Sequence, residues 1–302
     1  MPVVFREAMN VVRIVQFPGS HSQATISNSQ DSIVEFEGPH DPYHPLNWPF
    51  RKKYLTTLLY GFTTTVATLS SHIYSPAISN ISHLFSVRQE VSTLGITLLL
   101  LGFGVGPLLW APLSELYGRK PAILGPTFLA AIFAFGGGAA SNIQIVLICR
   151  FFQGFFGSAP IGNTGAVLSD IWSAEQRGNA IVGFAMAVVG GTTLGPIVGG
   201  AICDSRLRWR WMQFVTGFLQ MFVLILGCLV LDESYPATLL VRKARRLRLW
   251  TGNWSLHAKH EECDGSLNEL AHEYLVRPFQ LLSTPICLLM SLYASVHIRQ
   301  QC

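Results

Sequence analysis

Charge is scarce in this chain. Asp, Glu, Lys and Arg together make up 13% of its 302 residues, half of the residues are apolar, and the mean hydropathy is +0.38. A soluble domain carries about 25% charged residues, so this composition excludes an ordinary water-soluble fold and points to a membrane protein. Paired cysteine spacing is missing too. Of Cys149, Cys203, Cys228, Cys263, Cys287 and Cys302, four lie in or at apolar runs, where Cys behaves as a small apolar residue. Neither a disulfide framework nor a metal site is expected. No metal-ligand spacing, no Ser-His-Asp arrangement and no glycine loop placed to cradle phosphate after a strand occurs, which argues against an enzyme and calls for no cofactor. The net charge of +4 reads as a topology signal and gives no reason to propose nucleic acid as a partner. A signal-peptide core is also lacking, because Arg6, Glu7 and Arg13 interrupt the apolar residues of Met1 to Phe17 and no small-residue cleavage site follows. The first span would then act as its own targeting signal.

What is present is a series of apolar runs. They extend from about Tyr54 to Ile78, Val91 to Pro112, Pro121 to Ala140, Ile143 to Leu168, Ala180 to Cys203 and Met212 to Leu231. Each is near the roughly 20 residues that a helix needs to cross the hydrocarbon core. A seventh, shorter run from about Leu281 to Ile298 precedes the last residue, Cys302, and looks cut off. The fold class read from this pattern is all-α, a polytopic membrane helix bundle. Its expected parts are a disordered tail at 1–45, rich in Ser, Gln, His and Pro, a six-span bundle at 46–231, a basic loop at 232–280 and a truncated seventh span at 281–302.

Lys and Arg near span ends set the orientation. Arg51, Lys52, Lys53, Arg119, Lys120, Arg177 and the run Arg242 to Arg248 fall on one side if the spans alternate, which makes the amino terminus and the 232–280 loop cytoplasmic. Arg206, Arg208 and Arg210 fall on the other side and are outweighed. The Arg242 to Arg248 run beside the sixth span is suited to anionic lipid headgroups.

Several residues inside or between the spans carry chemistry. Arg150 lies within the fourth run, where a guanidinium costs several kcal/mol unless it faces a polar partner or a cavity; Gln153 shares its helix face and Asn163 lies further along. A snorkelling arginine is the alternative. The first run holds Thr64, Thr68 and His72; hydroxyls bond back to their own helix, whereas a titratable ring in a span is a functional candidate. The short link Leu113 to Lys120 makes two spans antiparallel neighbours. In it Gly118 suits a helix cap, Arg119 and Lys120 suit the carbonyl end of the second helix, and Glu115, four residues before Arg119, is placed to pair with it. Asp170 and Arg177 bracket another turn and are placed to pair across it. Gly191, Gly195, Pro196, Gly199 and Gly200 fall inside one span. Such glycine density costs about 1 kcal/mol per Gly in a water-exposed helix but lets two helices approach closely in lipid.

Together these segments resemble the major facilitator superfamily, and within it the twelve-span fungal drug:proton antiporters. The 113–120 loop resembles the superfamily's signature between spans two and three, with Ala111 in place of the usual Gly, Glu115 where Asp is commoner, and Leu116 where Arg is usual. Arg150, Gln153 and Gly154 resemble the fourth-span pattern, and Gly191 to Gly200 the fifth-span antiporter signature. The resemblance covers about Asp41 to Cys302, the first half of such a transporter plus part of its seventh span. It implies proton-coupled export of small organic molecules by alternating access, with lipid, a small-molecule substrate and protons as partners; the plasma membrane is the expected location, with the vacuolar membrane as the alternative. Arg150 would be the coupling or substrate-facing charge, and Gln153, Asn163, Thr64, Thr68 and His72 would line the cavity. Glu115, Arg119, Asp170 and Arg177 would form the cytoplasmic gate. The alternative expectation is a truncated, non-transporting fragment, or a half-transporter active only after assembly; parallel halves related by an axis along the membrane normal make self-association geometrically feasible.

Overall fold

The computed structural model describes residues 34, 36, 41, 43–205, 209–258, 261 and 289. The expected seventh span at 281–298 apart from Leu289, most of the tail at 1–45, Arg206 and Arg208 therefore lie outside the described residues. Eight α-helices run through the described residues: α1 (Phe50–His72), α2 (Ile78–Phe85), α3 (Gln89–Tyr117), α4 (Arg119–Ala139), α5 (Ile143–Ile171), α6 (Ala174–Asp204), α7 (Arg210–Val230) and α8 (Pro236–Thr251). Five of them, α3 to α7, are long and apolar enough to cross a membrane, and the chain is an integral, multi-pass helix bundle. The first expected span, α1, has 23 residues but falls outside that set because hydroxyls replace aliphatic side chains along it. Those hydroxyls are satisfied within the helix. Thr63, Thr64 and Thr68 donate to the carbonyls of Leu59, Tyr60 and Thr64 at 2.8, 2.9 and 3.0 Å, the back-bonding expected of Ser and Thr.

Two glycine seams bring backbones together. On α3 the buried positions Ser92, Gly95, Leu99, Gly102 and Gly106 alternate in steps of three and four, which puts them on one helix face. That face meets α5: a Cβ on Gly102 would strike the backbone of Phe151 and Phe155, and one on Gly154 the Leu99 carbonyl. The second seam joins α1 to α6. Gly191, Gly195 and Gly199, spaced by four, press on Thr65, His72 and Ile73 of the α1 end. Here the expected cluster divides. Gly200 meets nothing within 4 Å and Pro196 is exposed, because one residue of helix turns a position about 100° away from the seam.

α5 sits centrally, packing on α3, α4, α1 and α6, while α7 packs on α4 and α1. The burial is uneven. Half of the most apolar stretch of α5 and 56% of that of α4 are buried, against 11% in α6. Apart from Ala180, the seam glycines are the buried residues of α6, and Val182, Met186, Val189 and Ile197 stand exposed. A helix apolar around most of its circumference belongs against lipid or another helix bundle.

The chain reverses between α3 and α4 at the single residue Gly118, with φ +99°. Any side chain would be strained there, and a Cβ would also strike the Glu233 carboxylate.

Candidate functional site

Two polar clusters occupy opposite ends of α5. Arg150 and Asp170 are 20 residues apart, about 30 Å at the α-helical rise.

At the Asp170 end, Arg119 is held from three sides. Its Nε donates to Asp170 Oδ2 at 3.0 Å, its Nη1 donates to Ser114 Oγ at 2.7 Å, and its guanidinium carbon lies 4.9 Å from the Tyr235 ring centroid. Burial, and next the Glu115 carboxylate, push the Tyr235 phenol above its ordinary pKa, so the ring meets Arg119 as a neutral face. The backbone here is organised by a residue that sequence reasoning passed over. Buried Glu233 accepts the Arg119 amide at 2.8 Å on Oε1 and the Lys120 amide at 3.3 Å on Oε2, and Oε1 also accepts the amides of Ser234 and Tyr235 at 3.1 Å each. A carboxylate from beyond α7 thus caps the first turn of α4, where unpaired N–H groups and the helix dipole favour an anion.

Three expected pairings are replaced here. Arg119 takes Asp170 as its carboxylate partner and not Glu115. Arg177, expected opposite Asp170, donates through Nη2 to the Ser169 carbonyl at 3.2 Å. Lys120 reaches the carbonyl end of α7, at Cys228 O 3.4 Å away, and not that of α3. Nearby, Lys52 pairs with Asp232 at 2.5 Å. The span ends expected on one side therefore meet in one layer, built from the starts of α1 and α4, the end of α5 and the residues after α7.

At the other end Arg150 is fully buried. Its Nη1 donates to the Ser70 carbonyl at 2.8 Å and its guanidinium carbon lies 4.2 Å from the Tyr74 ring centroid. Among the described residues Nε and Nη2 have no hydrogen-bond partner, nor do the Tyr74 hydroxyl and both amide atoms of Gln153. Among the described residues Arg150 enters no ion pair. Further along α5, a cavity of about 10 Å³ lies among Thr63, Ala67, Gly157, Pro160 and Gln220, at the threshold for one water; Gln220 Oε1 is another buried atom without a partner.

The other expected residues are dispersed. Thr64 Oγ1 lies 3.5 Å from Thr164 Oγ1, facing α5. Thr68 and His72 lie on the α6 seam, where Thr68 Oγ1 fills the space a Cβ on Gly191 would take. Asn163 is turned to α3, donating to the Trp110 carbonyl at 3.3 Å. Arg150 and Gln153 thus share a polar face, and the rest line helix seams. Tyr74 and Ser70, which hold Arg150, stand out in the sequence only as members of the hydroxyl-bearing group of the first run, a weak signal because such hydroxyls bond back to their own helix.

The Major Facilitator Superfamily profile matches residues 60–298. The chain is 49% identical over 263 residues to Efflux pump bik6 of Gibberella fujikuroi, an alignment covering 87% of this chain and 54% of that protein. It is 37% identical over 272 residues to Multidrug transporter TPO1_2 of Candida glabrata, covering 90% and 47%. The chain spans about half the length of the curated relatives it matches. Among solved structures it is similar to the proton:xylose symporter XylE bound to 6-bromo-6-deoxy-D-glucose, with a TM-score of 0.55 and 15% identity over 80% of this chain and 56% of that one, a likeness of fold alone. On the extent of the profile match and the identity to these proteins, the chain belongs to the Major Facilitator Superfamily.

Proposed function

We propose that this chain forms the amino-terminal six-helix half of a proton-coupled exporter of small organic molecules, with α1 as its first crossing beside the five of α3 to α7, its amino terminus cytoplasmic and its place in the plasma membrane. It would act as a carrier and leave its substrate chemically unchanged. The names of its relatives, an efflux pump and a multidrug transporter, support export and organic cargo. The observation that carries the reading is Arg150: a buried guanidinium with two donor groups unpartnered. A charge so placed costs several kcal/mol in a membrane, and its open hydrogen-bonding capacity suits a group that meets water, substrate or a proton carrier during a transport cycle. The Arg119, Asp170 and Glu233 layer would serve as the gate that holds the cytoplasmic end closed.

Dye efflux from fungal cells lacking their own exporters tests this. Cells expressing the chain should accumulate less dye than empty-vector cells, and Arg150→Ala should restore accumulation while leaving the protein in the membrane. Accumulation equal to the empty vector for the unaltered chain overturns transport by this chain alone. The bare apolar face of α6 favours a second reading, in which a further helix bundle, including a second copy of this chain, must pack there before transport occurs. Crosslinking between cysteines introduced at Met186 in two differently tagged copies would support that reading, and its absence in active membranes would remove it.

A further inference from the structure

α8 has two unlike faces. On one, Leu240, Val241, Ala244 and Leu247 pack with Val34, Leu256 and Ala258, Lys243 pairs with Asp41 at 3.2 Å, and Arg248 bonds to Glu261 and the Leu256 carbonyl. The chain itself occupies this side. On the other side Arg242 and Arg245 are exposed, and beyond them Leu249, Trp250 and Trp254 are 71%, 90% and 74% exposed. The start of the helix is fixed beside the starts of α1 and α4, because Asp232 is tied to Lys52 and Glu233 to the first turn of α4.

We infer that this face is an interfacial anchor which docks on the anionic leaflet beside the bundle, the arginines on lipid phosphates and carboxylates, the indoles and Leu249 at the boundary between headgroups and acyl chains. Arginine with tryptophan in one exposed patch matches that layer, which offers negative charge and apolar depth together. An acidic protein surface would satisfy the arginines but leave the indoles in water, and a neutral leaflet would do the reverse. The anchor acts apart from the buried Arg150, so its failure leaves the transport reading untouched.

The test uses the full chain without its native cysteines, spin-labelled at Thr251→Cys between the two tryptophans, in phosphatidylcholine nanodiscs with and without phosphatidylserine. Collisions with oxygen, which partitions into lipid, are compared with those of a water-soluble nickel chelate. Phosphatidylserine should raise the oxygen-to-nickel ratio. Arg242→Glu with Arg245→Glu should abolish the rise, each lost arginine weakening surface residence roughly fivefold, and Trp250→Ser with Trp254→Ser should lower the ratio with the charges intact. A label that stays nickel-accessible in anionic discs shows a face turned to the cytosol and overturns the anchor. So does a label shielded from both reagents, which would mean a protein-covered face, or a ratio indifferent to phosphatidylserine.

Discussion

Arg119 and Arg150 are both withdrawn from solvent, 6% and 0% exposed, yet their surroundings differ in kind. Arg119 is matched to Asp170, Ser114 and Tyr235, with Glu233 anchoring its backbone. Arg150 has one carbonyl and one ring face. A buried ion pair returns its desolvation cost only when geometry and hydrogen bonds are complete; Arg119 has a carboxylate, a hydroxyl and a ring face around it, whereas Arg150 has no carboxylate among the described residues. The first arginine closes a layer between four chain segments. The second keeps unused donors inside an otherwise packed bundle, at a cost that packing alone gives no reason to bear.

The largest effect is expected from breaking the matched site. Arg119→Ala leaves the part-buried Asp170 carboxylate without its cation, and removing one partner of a buried pair costs about 3–5 kcal/mol. The purified chain should unfold at a clearly lower temperature in detergent, and Arg119→Lys should recover only part of the loss, since an ammonium cannot reproduce the guanidinium fork. An unchanged midpoint for Arg119→Ala would mean that the layer holds nothing together. Glu233→Gln comes next. It keeps one acceptor oxygen for the Arg119 amide but puts an NH2 donor where Oε2 accepts the Lys120 amide, and it removes the charge at the helix start, so a drop of about 1–2 kcal/mol is expected. Lys52→Ala removes a pair whose acid is half exposed; such pairs contribute about 0–1 kcal/mol, and its midpoint should lie within error of the parent and move little with added salt.

Much of this contrast was legible in the sequence, and the reasons for the remainder are physical. Arg150 stood out because a charge in an apolar run is rare, and Gly118, Arg119 and Asp170 because they punctuate span ends. Glu115 was matched to Arg119 on the four-residue rule, which holds only within one continuous helix. Gly118 at φ +99° reverses the chain, so Arg119 starts a new helix, and its partners come from 51 and 114 residues further on. Such long-range pairing leaves no local trace. The four-residue spacing of Gly191, Gly195 and Gly199 did show the α6 seam. The matching stripe on α3 went unread because Ser92, Gly95, Gly102 and Gly106 are diluted by large apolar neighbours on the other faces. α1 too is legible as a span, although hydroxyls that bond back to their own helix make it less apolar than α3 to α7.

The smallest change in stability is expected at Arg150, and it divides the two arginines most sharply. Arg150→Met keeps much of the side-chain volume and removes a charge with no carboxylate partner, so no buried acid is orphaned. Replacing buried charge by packed apolar atoms is often neutral or stabilising. The unfolding midpoint should therefore hold or rise, where Arg119→Met should fall by nearly as much as Arg119→Ala. Efflux, if Arg150 is a working group, should vanish in the Met variant all the same. A stable protein without transport would establish that the cost of burying Arg150 is borne for function. A midpoint falling as far as that of Arg119→Met would instead make Arg150 a second clamp, with Ser70 and Tyr74 as sufficient partners, and the distinction between the two ends of α5 would disappear.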